Sequence, residues 1–222
     1  MNALTDIGEM LISDAKRDYF FRPSFSAMSA IGSPTEIVMT YSVLNGFEIN
    51  QVALSAIESF GEIPSWLVSA IRKPAFGKKI LSAAMHVMTC CCDDDITSLI
   101  GEWKIGKSGI VYKRGDMSPE EIIIIGRELI EHGIIGKAKV RKLQRNEGKG
   151  EYSNEFRAID YINSARAHFN MTRNEAVNLT MTEFQLLLKN KFPDEKGLTR
   201  EEYDSLADDY LKKKAERLAN GK

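Results

Sequence analysis

An amphipathic pattern runs through most of this 222-residue chain and breaks once, between Gly136 and Tyr152. From 137 to 149 stand Lys137, Lys139, Arg141, Lys142, Arg145 and Lys149 against a single acid, Glu147. A basic, glycine-bearing run of this kind reads as a solvated linker. It divides an apolar N-terminal part, residues 1–136, from a polar C-terminal part, residues 153–222, with the linker over 137–152. Both parts are long enough to bury a core of their own, so two domains are expected.

The formal net charge of −1 gives no global attraction to nucleic acid or to an anionic membrane, which favours protein partners. The opening Met-Asn-Ala-Leu-Thr-Asp lacks a basic region followed by an apolar run and a small-residue cleavage site. No segment approaches the ~20 apolar residues of a membrane span. A cytosolic protein is the expectation.

Helix starts are legible. Ser or Thr followed three residues later by Glu occurs at Ser33/Glu36, Ser118/Glu121, Thr172/Glu175, Thr180/Glu183 and Thr199/Glu202. Pro34 and Pro119 follow two of these caps at the first helical position, where a missing N–H costs nothing. The pattern predicts helices over Ala3–Ser13, Ser24–Ile31, Pro34–Leu44, Asn50–Phe60, Pro64–Ile71, Gly77–Cys91 and Glu120–His132, the last closed by Gly133. Tyr19 to Pro23 reads as a short strand, and Glu102–Ile105 with Ile110–Lys113 as a small hairpin. The hairpin and the Glu120–His132 helix together look like a lid on the N-terminal domain.

Beyond the linker, Phe156, Ile159, Ile162, Ala165 and Phe169 share a helical face. Leu179, Met181, Phe184, Leu187, Leu188 and Phe192 form a second face that Pro193 ends, and the two helices should pair. Thr199 opens a last helix with Tyr203, Leu206, Tyr210, Leu211 and Leu218 on one side, ending in Lys212, Lys213, Lys214 and Arg217. Its narrow stripe either packs on its own domain or receives a partner. The fold expected is mainly α: an N-terminal helical cluster with a small β-hairpin, a basic linker and a small helical C-terminal domain.

No pattern of residues signals catalysis. The cysteines are contiguous, Cys90, Cys91 and Cys92. Consecutive helical residues point about 100° apart, so the three cannot converge on one ion with His86 and Asp93–Asp95. They read instead as reduced, small apolar residues ending a helix, and the aspartates as the start of the next. His86 reads as a core histidine satisfied by a hydrogen bond. Gly106-Lys107-Ser108-Gly109 lacks the upstream glycine and the following helix of a phosphate loop, so it reads as a turn. His132 beside Gly133 is the least implausible catalytic histidine, though a helix end gives it carbonyls to satisfy. Neither a metal nor a cofactor is expected. Lys137, Lys139, Arg141 and Lys142 could contact phosphate in a nucleic-acid-binding regulator, but no aromatic platform accompanies them.

Tyr19 to Gly32 followed by Glu36-Ile37-Val38, Cys91–Asp94 with Gly101-Glu102-Trp103, His132–Gly136, and Asn178–Phe184 with Lys191-Phe192-Pro193 together resemble an uncharacterised family found in tailed phages and prophages. The aromatic-Arg-Pro-Ser-Phe opening is also similar to that of tail assembly chaperones of long-tailed phages. That resemblance implies a helical, non-enzymatic protein that engages tape-measure and tail-tube proteins before assembly. The apolar N-terminal cluster and the narrow C-terminal stripe suggest the candidate partner contacts: Phe21, Arg22 and Phe25 at the N-terminal motif, with Tyr203, Leu206, Tyr210 and Leu211 of the C-terminal helix. A tail-completion or connector protein retained in the virion is the other structural-gene role the resemblance admits. The chain departs from the commonest chaperone pattern in length and in its cysteine-aspartate-tryptophan segment.

Overall fold

Every helix start that the sequence marks with a serine or threonine cap is built as such where the computed structural model describes it, over residues 2–71, 74–106, 109–138 and 154–192. In chain order the elements are β1 (Met10–Ser13), β2 (Asp18–Phe21), α1 (Phe25–Ile31), α2 (Pro34–Leu44), α3 (Phe47–Phe60), α4 (Ser65–Ile71), α5 (Pro74–Cys90) and α6 (Thr97–Ile100). They continue with β3 (Glu102–Gly106), β4 (Gly109–Lys113), α7 (Pro119–Ile134), α8 (Ala158–Phe169), α9 (Arg173–Val177) and α10 (Met181–Lys191). The fold is mainly α, with two small antiparallel hairpins, β1–β2 and β3–β4. Reciprocal capping boxes form at Ser33/Glu36, Ser118/Glu121 and Thr172/Glu175. In each, the cap residue's backbone N–H and then its hydroxyl hold the glutamate carboxyl below its usual range.

The first departure is at the N-terminus. Ala3–Ser13 is not a helix: a single 3-10 turn, Thr5–Ile7, leads into β1, which pairs Met10 with Phe21 and Ser13 with Asp18. Gly8 ends the turn in the left-handed region, φ 91°, and a Cβ there would lie 2.5 Å from the His132 ring. The connection is set by Asp14, whose carboxylate accepts the N–H groups of Lys16 (2.6 Å) and Arg17 (2.9 Å) and the hydroxyl of Tyr19 (2.8 Å). Such side-chain bonding to nearby backbone competes with helix.

The core is centred on α5 and α7. Leu81, Ala84, Met85, Val87 and Met88 of α5 are buried with Ile122, Leu129, Ile130 and Ile134 of α7. The two helices approach closely at small residues, since a Cβ on Gly126 would lie 2.9 Å from the Ala84 Cα. Helix α7 is therefore central and not a lid. It also runs past Gly133, which is no cap: a Cβ there would lie 2.4 Å from the Met28 sulfur, so this glycine admits α1. The helix ends at Gly136, φ 77°, whose N–H donates to the Glu131 carbonyl at 2.8 Å.

The division of the chain also differs from the sequence expectation. Residues 1–188 make one compact unit and 189–222 a second. In the first, the segment after the basic stretch packs into the same core as residues 1–136. Phe25 of α1 stacks on Tyr161 of α8, centroids 5.7 Å apart, and meets Phe184 of α10 edge-on at 6.1 Å. The Phe156 N–H donates to the Pro34 carbonyl (3.0 Å) and the Phe25 N–H to that of Leu179 (2.9 Å). Burying an aromatic is worth on the order of 1.5–3 kcal/mol relative to exposure, so a segment that buries Phe156 and Phe184 and half-buries Tyr161 gains more by joining α1 than by standing alone. In the second unit the described residues are the end of α10 and Phe192, with the Lys191 ammonium 5.8 Å from the Phe192 ring centre.

Candidate protein-binding surface

The N-terminal motif residues are placed together, but not at the surface. Phe21 and Phe25 have no exposed area, which makes them core and corrects their assignment as partner contacts. Their signal was real, since aromatic residues flanking Arg22-Pro23 do mark a site, but that site is internal. Arg22 bonds carboxylates, not carbonyls: its Nη1 lies 3.3 Å from Glu9 and its Nη2 3.2 Å from Glu183. Glu9 is only 5 % exposed, and its other oxygen accepts the Leu4 N–H at 2.9 Å. The arginine thus ties the segment before β1 to α10. Glu183 follows its cap residue Thr180, whose hydroxyl accepts the Glu183 N–H at 3.1 Å.

His132 is buried in the last turn of α7. Its Nδ1 stands 2.8 Å from the Thr182 hydroxyl, which also accepts the Lys137 N–H at 3.0 Å. Burial, and then the Lys137 charge, hold its pKa below the usual range, which favours the neutral imidazole. His86 is exposed on α5, not in the core. Its Nε2 donates to the Ile31 carbonyl at 2.9 Å and stands 4.0 Å from the Cys90 sulfur. The Cys90 hydrogen bond, with the Ile31 bond, raises its pKa to about 9. Cys91 and Cys92 are buried, and burial raises both thiols. Asp95 opens α6 by accepting the Thr97 N–H at 2.9 Å. Among the described residues no group of three or more histidine, cysteine or acidic side chains could hold a metal ion. A groove of about 630 Å³ runs past Arg22, Ser26, Cys90, Asp93 and Asp94, and its mixed charges favour no one ligand.

Of the basic stretch, Lys137 is described. Its ammonium pairs with Glu128 (2.5 Å) and Glu131 (3.2 Å) of α7, which commits it to its own fold. Lys139, Arg141 and Lys142 lie outside the described residues, as do Tyr203, Leu206, Tyr210 and Leu211, the Thr199 cap, and Lys107 and Ser108 at the hairpin tip. The strands β3 and β4 flank that tip, pairing Glu102 with Lys113 and Gly106 with Gly109.

The feature that sequence reasoning did not single out is the helical arm α3–α4. From residue 45 to 79 no described side chain belongs to the central core or packs on it as a partly buried apolar group. The arm joins the rest through α2, where Phe47 meets Tyr41 at 5.8 Å. Among its described side chains, the buried ones are Ala56 of α3 and Leu67 of α4. Exposed on it are Phe47, Val52, Leu54 (60 %), Ile57, Phe60 (64 %), Ile63 and Trp66 (62 %). Exposed apolar side chains are ordinary when scattered; here seven fall within twenty residues. A signal for it was present. The 47–60 stretch is apolar on most of its helical circumference yet lacks the small-residue contacts by which α5 and α7 approach.

None of the described helices is long and apolar enough to cross a membrane. The chain belongs to a protein family of unknown function, DUF6246, whose pattern matches residues 21–205. No curated protein and no solved structure matches it.

Proposed function

We propose that this chain is a tail morphogenesis protein of a phage or prophage that acts by binding proteins in the host cytoplasm, as an assembly chaperone for tape-measure and tail-tube subunits. The observation that carries the binding role is the α3–α4 arm, with Leu54, Phe60 and Trp66 each more than half exposed beside a core that they do not enter. A long helical client has an apolar face that is unprotected until it is assembled, and the arm offers a surface of the same kind. Recognition would be helix against helix, with apolar anchors at helical spacing. The assembly context comes from the resemblance of the N-terminal motif, while the contacts move from Phe21 and Phe25 to the arm.

The test is co-expression with the tape-measure protein of the same gene module. Capture of soluble tape measure by the tagged chain, lost in Leu54→Asp and Phe60→Ser, is the expected result. An insoluble or uncaptured tape measure would overturn the chaperone role. Finding the chain in stoichiometric amount in purified particles would replace it with a tail-completion or connector role.

A further inference from the structure

Strand β1 belongs to a two-stranded sheet, so one of its edges meets β2 and the other pairs with no described strand. Hydrogen-bonded and non-bonded pairs alternate along an antiparallel ladder, and the Asp14 N–H, which donates to the Arg17 carbonyl at 3.0 Å, fixes which residues point where. Met10 and Ile12 therefore bond inward to Phe21 and Tyr19, while Leu11 and Ser13 turn their N–H and C=O groups outward. The neighbouring residues keep the same alternation. The Glu9 N–H points out to the Leu4 carbonyl (3.2 Å) and, after β2, the Arg22 N–H to that of Cys91 (2.8 Å). The outward groups of Leu11 and Ser13 have no such partner among the described residues, and both residues are exposed.

Beside that edge runs a groove of about 590 Å³. Ile12 and Ser13, whose side chains leave opposite faces of the strand, both line it, so it borders the edge and not one face. Its far wall is Glu121 and Ile125 of α7, one helical turn apart, and the buried Leu99 and Met117 complete its apolar lining. Open edges are usually guarded by lysine, proline or a bulge, but Met10-Leu11-Ile12-Ser13 has no charge, no proline and an unbroken register. We infer that β1 receives an extended segment of a partner protein as a third strand, with apolar side chains at the alternate positions that lie over Leu99, Met117 and Ile125. An extended backbone matches a row of N–H and C=O groups, and the groove beside the edge selects its side chains. The rim carboxylates specify no charge: Asp14 is held by Lys16, Arg17 and Tyr19, and Glu121 caps α7 beside Arg114. This surface shares no residue with the α3–α4 arm and does not rest on the role proposed for it.

The test uses the full-length chain and a panel of short synthetic peptides that alternate threonine with valine, leucine or phenylalanine. Each is made unmodified, N-methylated at every second amide, and N-methylated at the other set of amides. Binding should slow hydrogen exchange at the Leu11 and Ser13 amides, followed by NMR. One methylated form should bind as the parent does, and the other should weaken by about 5-fold for each hydrogen bond it lacks. Ser13→Pro removes an outward N–H that the fold does not use, and should weaken the parent peptide in the same way. Ile125→Asp, on the far wall of the groove, should remove binding without touching β1.

No protection of Leu11 and Ser13 by any peptide of the panel, or equal binding of both methylated forms, would overturn the assignment. Protection of these amides that grows with protein concentration, without peptide, would overturn it in favour of a second copy that pairs β1 with β1. Loss of peptide binding in Phe60→Ser would place the peptide on the α3–α4 arm instead. Tape-measure capture that fails while the peptides still protect Leu11 and Ser13 would remove the chaperone role and leave the strand site standing.

Discussion

Helices α3 and α5 read alike in sequence, both long and rich in apolar residues at helical spacing, yet the structure uses them in opposite ways. Five side chains of α5 are buried, from Leu81 to Met88, whereas among the described side chains of α3 only Ala56 is. The difference lies in what stands opposite. Ala84 of α5 meets Gly126 of α7 at near backbone contact, and Met28 of α1 fills the space that Gly133 of α7 leaves. Nothing of that kind draws α3 into the core. Apolar periodicity says that a helix has a face to cover; only a complementary surface says what covers it.

The comparison can be broken first at Phe25 and Phe60. Phe25→Ala should cost about 3–5 kcal/mol, read as a lower urea midpoint, because it empties a fully enclosed site between Tyr161 and Phe184. Phe60→Ser should leave stability within about 0.5 kcal/mol while removing partner binding. If Phe60→Ser destabilises as much as Phe25→Ala, the arm is structural and not a docking surface. A smaller effect is expected at the close approach of α5 and α7. Gly126→Val should lose about 1–3 kcal/mol, since its Cβ would meet the Ala84 backbone. The same change at Gly61, where a Cβ meets nothing within 4 Å, would act only through its positive φ of 76°.

Acid and alkali should separate His132 from His86, and these effects are the smallest. His132 has a lowered pKa, so below the ordinary value near 6.5 the unfolded chain binds a proton that the folded chain does not. Its contribution is therefore present at neutral pH and lost as pH falls below about 6.5. His86, raised to about 9, is the reverse: the folded state keeps its proton, and the gain is full below about 6.5 and lost as pH rises through about 9. Urea midpoints from pH 5 to 10 should show His132→Gln flattening the acid limb and His86→Gln the alkaline limb. The His86 effect should be the weaker, since that side chain is exposed and screened.

Much of the local structure was legible. Ser33-Pro34 and Ser118-Pro119 start α2 and α7 where the sequence says they do, and the β3–β4 hairpin lies between the residues that alternate. Three features were not. Four residues of β1 are too few for an alternating pattern to outweigh a helical one, and their partner lies across a turn held by Asp14. Gly133 looks like a helix end because a glycine admitted for packing and one required for a positive φ are the same residue in sequence. Phe21 and Phe25 look like contacts because exposure is not written into an aromatic.

By itself the sequence determined the helical class, the caps and most helix limits, because those rest on hydrogen bonds between residues three or four apart. Only the tertiary structure decided that residues 154–188 join the first core and that α3–α4 stays out of it. Those outcomes rest on contacts such as Phe25 with Tyr161, His132 with Thr182 and Arg22 with Glu183, whose partners lie far apart in the chain. Their strength comes from the surface removed from water when they meet, and that depends on every element that packs around them.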